Sequence, residues 1–251
     1  MEFDRLYLPH EAIFPKGASN MNFLPFDYLV ISNQDFDLVS LQDTFSFFSA
    51  CGIRKFIFLL NFDRSRHTVA WIKDRQKLLE QSIRLARPKG LIVQSFLNFE
   101  FSQGIVYDPT INRILSQNSS FLFVSLPFFC DDAWVDADLN YLLYQKKLTP
   151  ILSSFEGNIR TNSQTRLNQI FTSKAYRLSL DLNYITAADS KIRLDQIISR
   201  EISVIPCISH SLSNYVGVCR AFEDLRGRLG ASAYAQLSRN FFNSEKYIFS
   251  S

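Results

Sequence analysis

Seven short apolar runs recur along the chain, each followed by a longer amphipathic or polar stretch, and this alternation constrains the fold more than any other feature. The runs are 27–32 (DYLVIS), 55–60 (KFIFLL), 90–99 (GLIVQSFLNF), 120–128 (SFLFVSLPF), 148–154 (LTPILSS), 176–182 (YRLSLDL) and 202–209 (ISVIPCIS). Between them the spacing predicts helices over 41–52, 68–86, 134–147, 163–174, 188–199 and 215–229, a short one after Pro109 and a further one from 231. Gly52 is a natural left-handed stop for the first of these, and Pro88 with Gly90 ends the second. A strand that is apolar throughout is buried on both faces, and strands separated by helices pair in parallel because each helix is a crossover. The expected fold is therefore α/β, a (β/α)7 distorted TIM barrel with mostly parallel strands. An open doubly wound sheet fits the same pattern, but no G-x-G-x-x-G follows the first run, which weakens its dinucleotide-binding form.

At 251 residues and 47% hydrophobic content the chain supports one large core or two small domains. No Gly- or Pro-rich linker divides it, so the expectation is a single domain over 1–251, with 1–26 as an N-terminal extension and 240–251 as a docked aromatic tail. The 24 phenylalanines are read as thick packing. In LPFFC (126–130) and at Phe241–Phe242 the same residue type would suit either packing or a partner surface. A formal charge of +3, from 27 basic and 24 acidic residues, leaves no electrostatic footprint for nucleic acid or an anionic membrane. No apolar run approaches the length of a membrane span. Cys51, Cys130, Cys207 and Cys219 form no C-x-x-C pair, which argues for reduced thiols in a cytoplasmic chain. The opening MEFDRLYLPHEAIF reads as no signal peptide.

In parallel β/α folds the chemistry sits at the C-terminal ends of the strands. Those ends carry Ser32, Asn33 and Asp35; Asn61 and Asp63; Asn98 and Glu100; Ser125; Ser153, Ser154 and Glu156; Asp181; and Ser209 and His210. The set is polar but poor in strong ligands. The chain holds three histidines, His10, His67 and His210, too few for a cluster of transition metals. A hard divalent ion, magnesium or manganese, could still be held weakly by Glu100 and Glu156 with Asp63 or Asp181. The candidate catalytic residues are His210, Glu156 and Glu100, and the candidate binding residues are Asn33, Asn61, Ser154, Ser209 and Asp181. Against each stands a bland reading: carboxylates satisfied near a barrel rim, and a histidine hydrogen-bonded among serines. A Ser–His–Asp set from Ser154 or Ser209, His210 and Asp181 lacks a G-x-S-x-G elbow. Cys207, inside its strand, reads as a packed thiol.

The order of these segments resembles the polymerase and histidinol phosphatase (PHP) family, in its branch of manganese-dependent tyrosine phosphatases of bacterial capsule synthesis. TPILSSFEGN (149–158) is similar to that family's PI-x-A-H-P-E-R segment, and PCISHSLS (206–213) resembles its S-D-x-H segment. DYLVISNQDF (27–36), FLLNFD (58–63) and LNFEF (97–101) stand where its H-x-H, its second histidine motif and its metal-bridging glutamate would stand. The departures are consistent. Ile31, Ser32 and Asn33 replace H-x-H, Asn61 and Ser154 replace histidines, and His210 and Leu212 replace the aspartate and histidine of S-D-x-H; Glu100 and Glu156 alone keep a carboxylate. The resemblance thus implies a PHP-like barrel that has lost its metal chemistry: a pseudoenzyme that binds a protein partner or a small anionic ligand in a setting of polysaccharide synthesis. Two alternatives remain open: an active phosphoric ester hydrolase with an altered site, and an RNA-binding scaffold with a basic stripe of Arg160, Arg166, Lys174 and Arg177. Near-neutral charge speaks against the last.

Overall fold

The computed structural model describes residues 28–32, 52–109, 120–126, 133–153, 175–181, 204–208 and 229–240, with scattered positions between 42 and 49 and between 226 and 249. Seven strands lie within these residues: β1 (Tyr28–Ser32), β2 (Lys55–Phe62), β3 (Ile92–Glu100), β4 (Phe121–Ser125), β5 (Thr149–Ser153), β6 (Arg177–Asp181) and β7 (Val204–Ile208). Each falls inside or overlaps one of the seven apolar runs. All pair in parallel in chain order, and β7 returns to β1 through Val30 opposite Cys207 and Ile31 opposite Ile208. The sheet is a closed barrel, so the open alternative is set aside.

Helix α1 (Val69–Ala86) follows β2. Thr68 caps it, its hydroxyl accepting the Trp71 N–H at 3.4 Å. Ile72, Leu79 and Ala86, seven residues apart, turn its buried stripe onto the sheet. The helix tightens into a 3₁₀ turn over Arg87–Lys89, where Pro88 supplies no N–H, and ends at Gly90, whose φ of 70° is open to glycine at little cost. The described residues between 42 and 49 are helical, and the Gly52 N–H closes on the Ser49 carbonyl at 3.1 Å. Helix α2 (Ala133–Asn140) continues as a π turn over Tyr141–Gln145. The helices expected over 163–174 and 188–199 lie outside the described residues. Residues 229–240 are helical, with Gly230 at φ 75° marking the junction expected between two helices near 230.

Which face of each strand points inward follows from packing. Phe45, in the segment before β2, stacks edge-on against Phe56 and Phe58 at 5.3 and 5.7 Å, so the even positions of β2 face the helical layer. Ile57, Leu59 and Asn61 therefore point into the barrel. Register carries that face around the sheet to Phe96 and Asn98, Phe123 and Ser125, Ile151 and Ser153, Ser179, and Ile205 and Cys207. Phe96 meets Phe121 at 4.8 Å and Phe123 at 6.0 Å, filling the barrel with an aromatic plug. The same register turns Arg177 toward the barrel interior, where it is half-buried, which removes it from any exterior basic stripe.

The other end of the barrel is met by the C-terminal segment. Phe249 packs edge-on against Tyr28, the first residue of β1, at 6.0 Å and lies under the ammonium of Lys55, the first residue of β2. Lys55 is ion-paired with Glu245, and Ile248 is buried.

Candidate functional site

Above the aromatic plug, at the C-terminal ends of β2 to β5, lies a layer of neutral polar side chains. Asn98 is its hub. Its Nδ2 donates to Asn61 Oδ1 at 2.7 Å and to Ser125 Oγ at 2.9 Å, and its Oδ1 accepts from Ser153 Oγ at 2.7 Å. Ser125 and Ser153 hydroxyls are 3.0 Å apart. Proton accounting settles the direction of that last bond. Ser153 has one hydroxyl proton and gives it to Asn98, so Ser125 is the donor. The result is a one-way ring, Asn98 to Ser125 to Ser153 and back to Asn98, in which each bond polarises the next. Asn98 and Ser153 are almost fully buried. The ring is internally satisfied, which is the condition for burying polar groups at this depth.

Ser179 extends the layer. It follows Ser153 in register and is 1% exposed, yet its Oγ has no hydrogen-bond partner among the described residues. Glu100, the last residue of β3, is in register with Ser125, one pleat above the ring, and its side chain is exposed. Asp181 ends β6 opposite Cys207. Asn33, Ser154, Glu156, Ser209 and His210 lie outside the described residues. Of the candidates, the structure thus brings Asn61 into the ring and leaves Glu100 at the rim.

The strand-end loops use their acids locally. Asp63 Oδ1 accepts from the Ser65 backbone N–H at 2.8 Å and its hydroxyl at 2.7 Å, while Oδ2 meets Arg66 at 3.1 Å. The Ser65 hydroxyl bond, chiefly, holds the Asp63 carboxyl below its usual 3.8. Both oxygens of this carboxylate are thus engaged within its own turn. His67, stacked on Trp71 at 4.0 Å, accepts the Asp63 N–H through Nδ1 at 3.1 Å. Asp138, a buried carboxylate on α2, accepts the Gly104 N–H at 3.0 Å and so anchors the loop after β3. Partial desolvation of the hydroxyl, with that carboxylate beside it, raises Tyr107 above its usual 10.0, although half of the residue is exposed. Nothing in the sequence spacing marks Asp138 as a loop anchor.

Among the described residues no three His, Cys, Asp or Glu side chains come together as a metal-binding group. The donors that do converge are amides and hydroxyls already hydrogen-bonded to one another, and such groups suit transition ions poorly. They do not fit a polynuclear metal centre.

This barrel has the fold of a solved tyrosine phosphatase. It superposes with TM-score 0.61 on a chain from the crystal structures of YwqE from Bacillus subtilis and CpsB from Streptococcus pneumoniae, described as unique metal-dependent tyrosine phosphatases. The match covers 84% of this chain and 85% of that one at 14% identity, so the likeness is one of fold. The sequence matches no family model and no curated protein. Among the described residues no helix is long and apolar enough to cross a membrane.

Proposed function

We propose that this chain is a PHP-type barrel whose strand-end site has been given over to neutral hydrogen bonding, and that it acts as a binding or regulatory protein rather than as a metal-dependent phosphatase. The observation that carries this reading is the closed Asn98–Ser125–Ser153 ring with Asn61 attached. Hydrolysis of a phosphate ester at a metal centre needs an ion that orients the ester, generates hydroxide and takes up developing charge. Asn61, where the resemblance would put a histidine, instead accepts a hydrogen bond from Asn98. The ring cannot serve as general base either, because its donors and acceptors are spent on one another and none titrates near neutrality. Among the described residues, the strand ends of β2 to β5 present a neutral, internally hydrogen-bonded layer with Glu100 exposed at its rim. The ligand class proposed from the resemblance, a protein partner or a small anion in polysaccharide synthesis, is carried over on the fold alone.

The test is metal content and turnover together. Purified protein is expected to retain no stoichiometric transition metal and to leave p-nitrophenyl phosphate intact in added manganese. Bound metal at one equivalent or more, with manganese-dependent turnover that Glu156→Gln abolishes, would sink the reading and establish an altered but active hydrolase.

A further inference from the structure

A second polar site lies on the C-terminal helix, away from the strand ends. Gln236, Arg239, Asn240 and Asn243, at helical spacing on one face, line a cavity of about 330 Å³. That volume is at the lower end of small-ligand pockets. The helix leads to Glu245 and Phe249, which touch the first residues of β2 and β1, at the end of the barrel opposite the Asn98 ring.

The hydrogen bonds within this face are oriented, and their orientation decides what the cavity can bind. Arg239 donates through Nη2 to Gln236 Oε1. Gln236 Nε2 in turn donates to Asn240 Oδ1 at 3.1 Å. Asn240 is 2% exposed, so the chain of donors runs from the surface guanidinium to a buried amide. Two carbonyl oxygens, those of Gln236 and Asn240, are thereby occupied. An arginine has five N–H donors and no acceptor, while an amide has two N–H donors and one carbonyl oxygen, which keeps a second lone pair after accepting one bond. Arg239 keeps donors after serving Gln236, Gln236 keeps its second N–H, and Asn243 adds an exposed amide. No carboxylate is among the described lining residues. Among the described residues the face holds more N–H donors than acceptors and carries one fixed positive charge.

We infer that this cavity binds an oxyanion, a phosphate or a carboxylate, through Arg239 with Gln236 and Asn243 as neutral donors. A guanidinium held by a neighbouring amide is pre-oriented, and charge-assisted bonds to an oxyanion are the strong class of hydrogen bond. This site is independent of the barrel mouth and of any phosphatase ancestry.

Isothermal titration of the full chain with inorganic phosphate, and separately with acetate, tests the inference. Binding of either anion is expected, and the stronger of the two identifies the ligand's source as a phosphate or a carboxylate. Arg239→Gln is expected to weaken it about tenfold or more, the loss of one charged contact. Asn243→Asp, which brings a carboxylate to the cavity at an exposed position, is expected to weaken it likewise. Failure of both anions to bind the wild-type chain overturns the site. So does binding that neither substitution changes while circular dichroism shows both variants folded, because the anion then sits elsewhere.

Discussion

At Asn98 a single amide holds three hydrogen bonds, to Asn61, Ser125 and Ser153, and each of these partners is at a different strand end. Asn98→Ala would remove the acceptor of the Ser153 hydroxyl and the donor to Asn61 and Ser125, and open a void. A loss of about 2–4 kcal/mol is expected, read from urea denaturation. Asn98→Asp keeps the volume but places a desolvated carboxylate against the Asn61 carbonyl. Its folded pKa would rise above the unfolded value of about 3.9, so the penalty is complete above the raised value and fades as pH falls to 3.9. Melting temperature should therefore recover in acid for this variant; a pH-independent deficit would contradict it. Asp63 has the opposite sign. Its carboxyl is held low, first by the Ser65 hydroxyl, so its contribution is present above 3.8 and is lost as pH falls through the lower folded value. Ser65→Ala should return the carboxyl toward 3.8, as followed by carbon-detected NMR titration. Sequence reasoning listed the polar strand ends, Asn98, Ser125 and Ser153 among them, but favoured those matching family motifs. It missed Ser179, whose inward position two residues before Asp181 was legible from the alternation along the strand.

At the scale of elements, the runs of apolar residues marked the strands well because two-sided burial leaves a local trace. Helix α1 was legible to within a residue, since Thr68, the seven-residue spacing of Ile72, Leu79 and Ala86, and Pro88 are all local signals. With no acid in its first turn, α1 depends on its cap: Thr68→Ala is expected to cost about 0.5–1 kcal/mol, measured as a shift in denaturant midpoint without change in slope. The π turn over Tyr141–Gln145 was not legible. It extends a pattern that reads as one helix over 134–147, and a register change of one residue leaves apolar spacing nearly intact. Asp138 was equally silent, because its partner, the Gly104 N–H, lies 34 positions away in the chain.

For the whole molecule, closure is the deciding event. Joining β7 to β1 pairs residues some 177 positions apart, Val30 with Cys207, and removes both sheet edges. The C-terminal segment then packs on the strand starts. Phe249→Ala removes its contacts with Tyr28 and Lys55, and because the ring is only partly buried, about 2 kcal/mol is expected rather than the 3–5 of a core phenylalanine, read by thermal unfolding. The sequence by itself determined the seven β/α units, the parallel pairing and the shortage of metal ligands, because periodicity, chain order and residue type are properties of the chain. The closed barrel is favoured over the open sheet in sequence only by the missing G-x-G-x-x-G, since both bury the same runs, and closure itself is seen in the pairing of β7 with β1. Only the tertiary structure decided that Asn61, Asn98, Ser125 and Ser153 meet, that Arg177 turns inward and that Asp63 is committed to its own turn. Strand register and tilt set those neighbours, and both arise from packing across the whole barrel rather than from any local stretch of sequence.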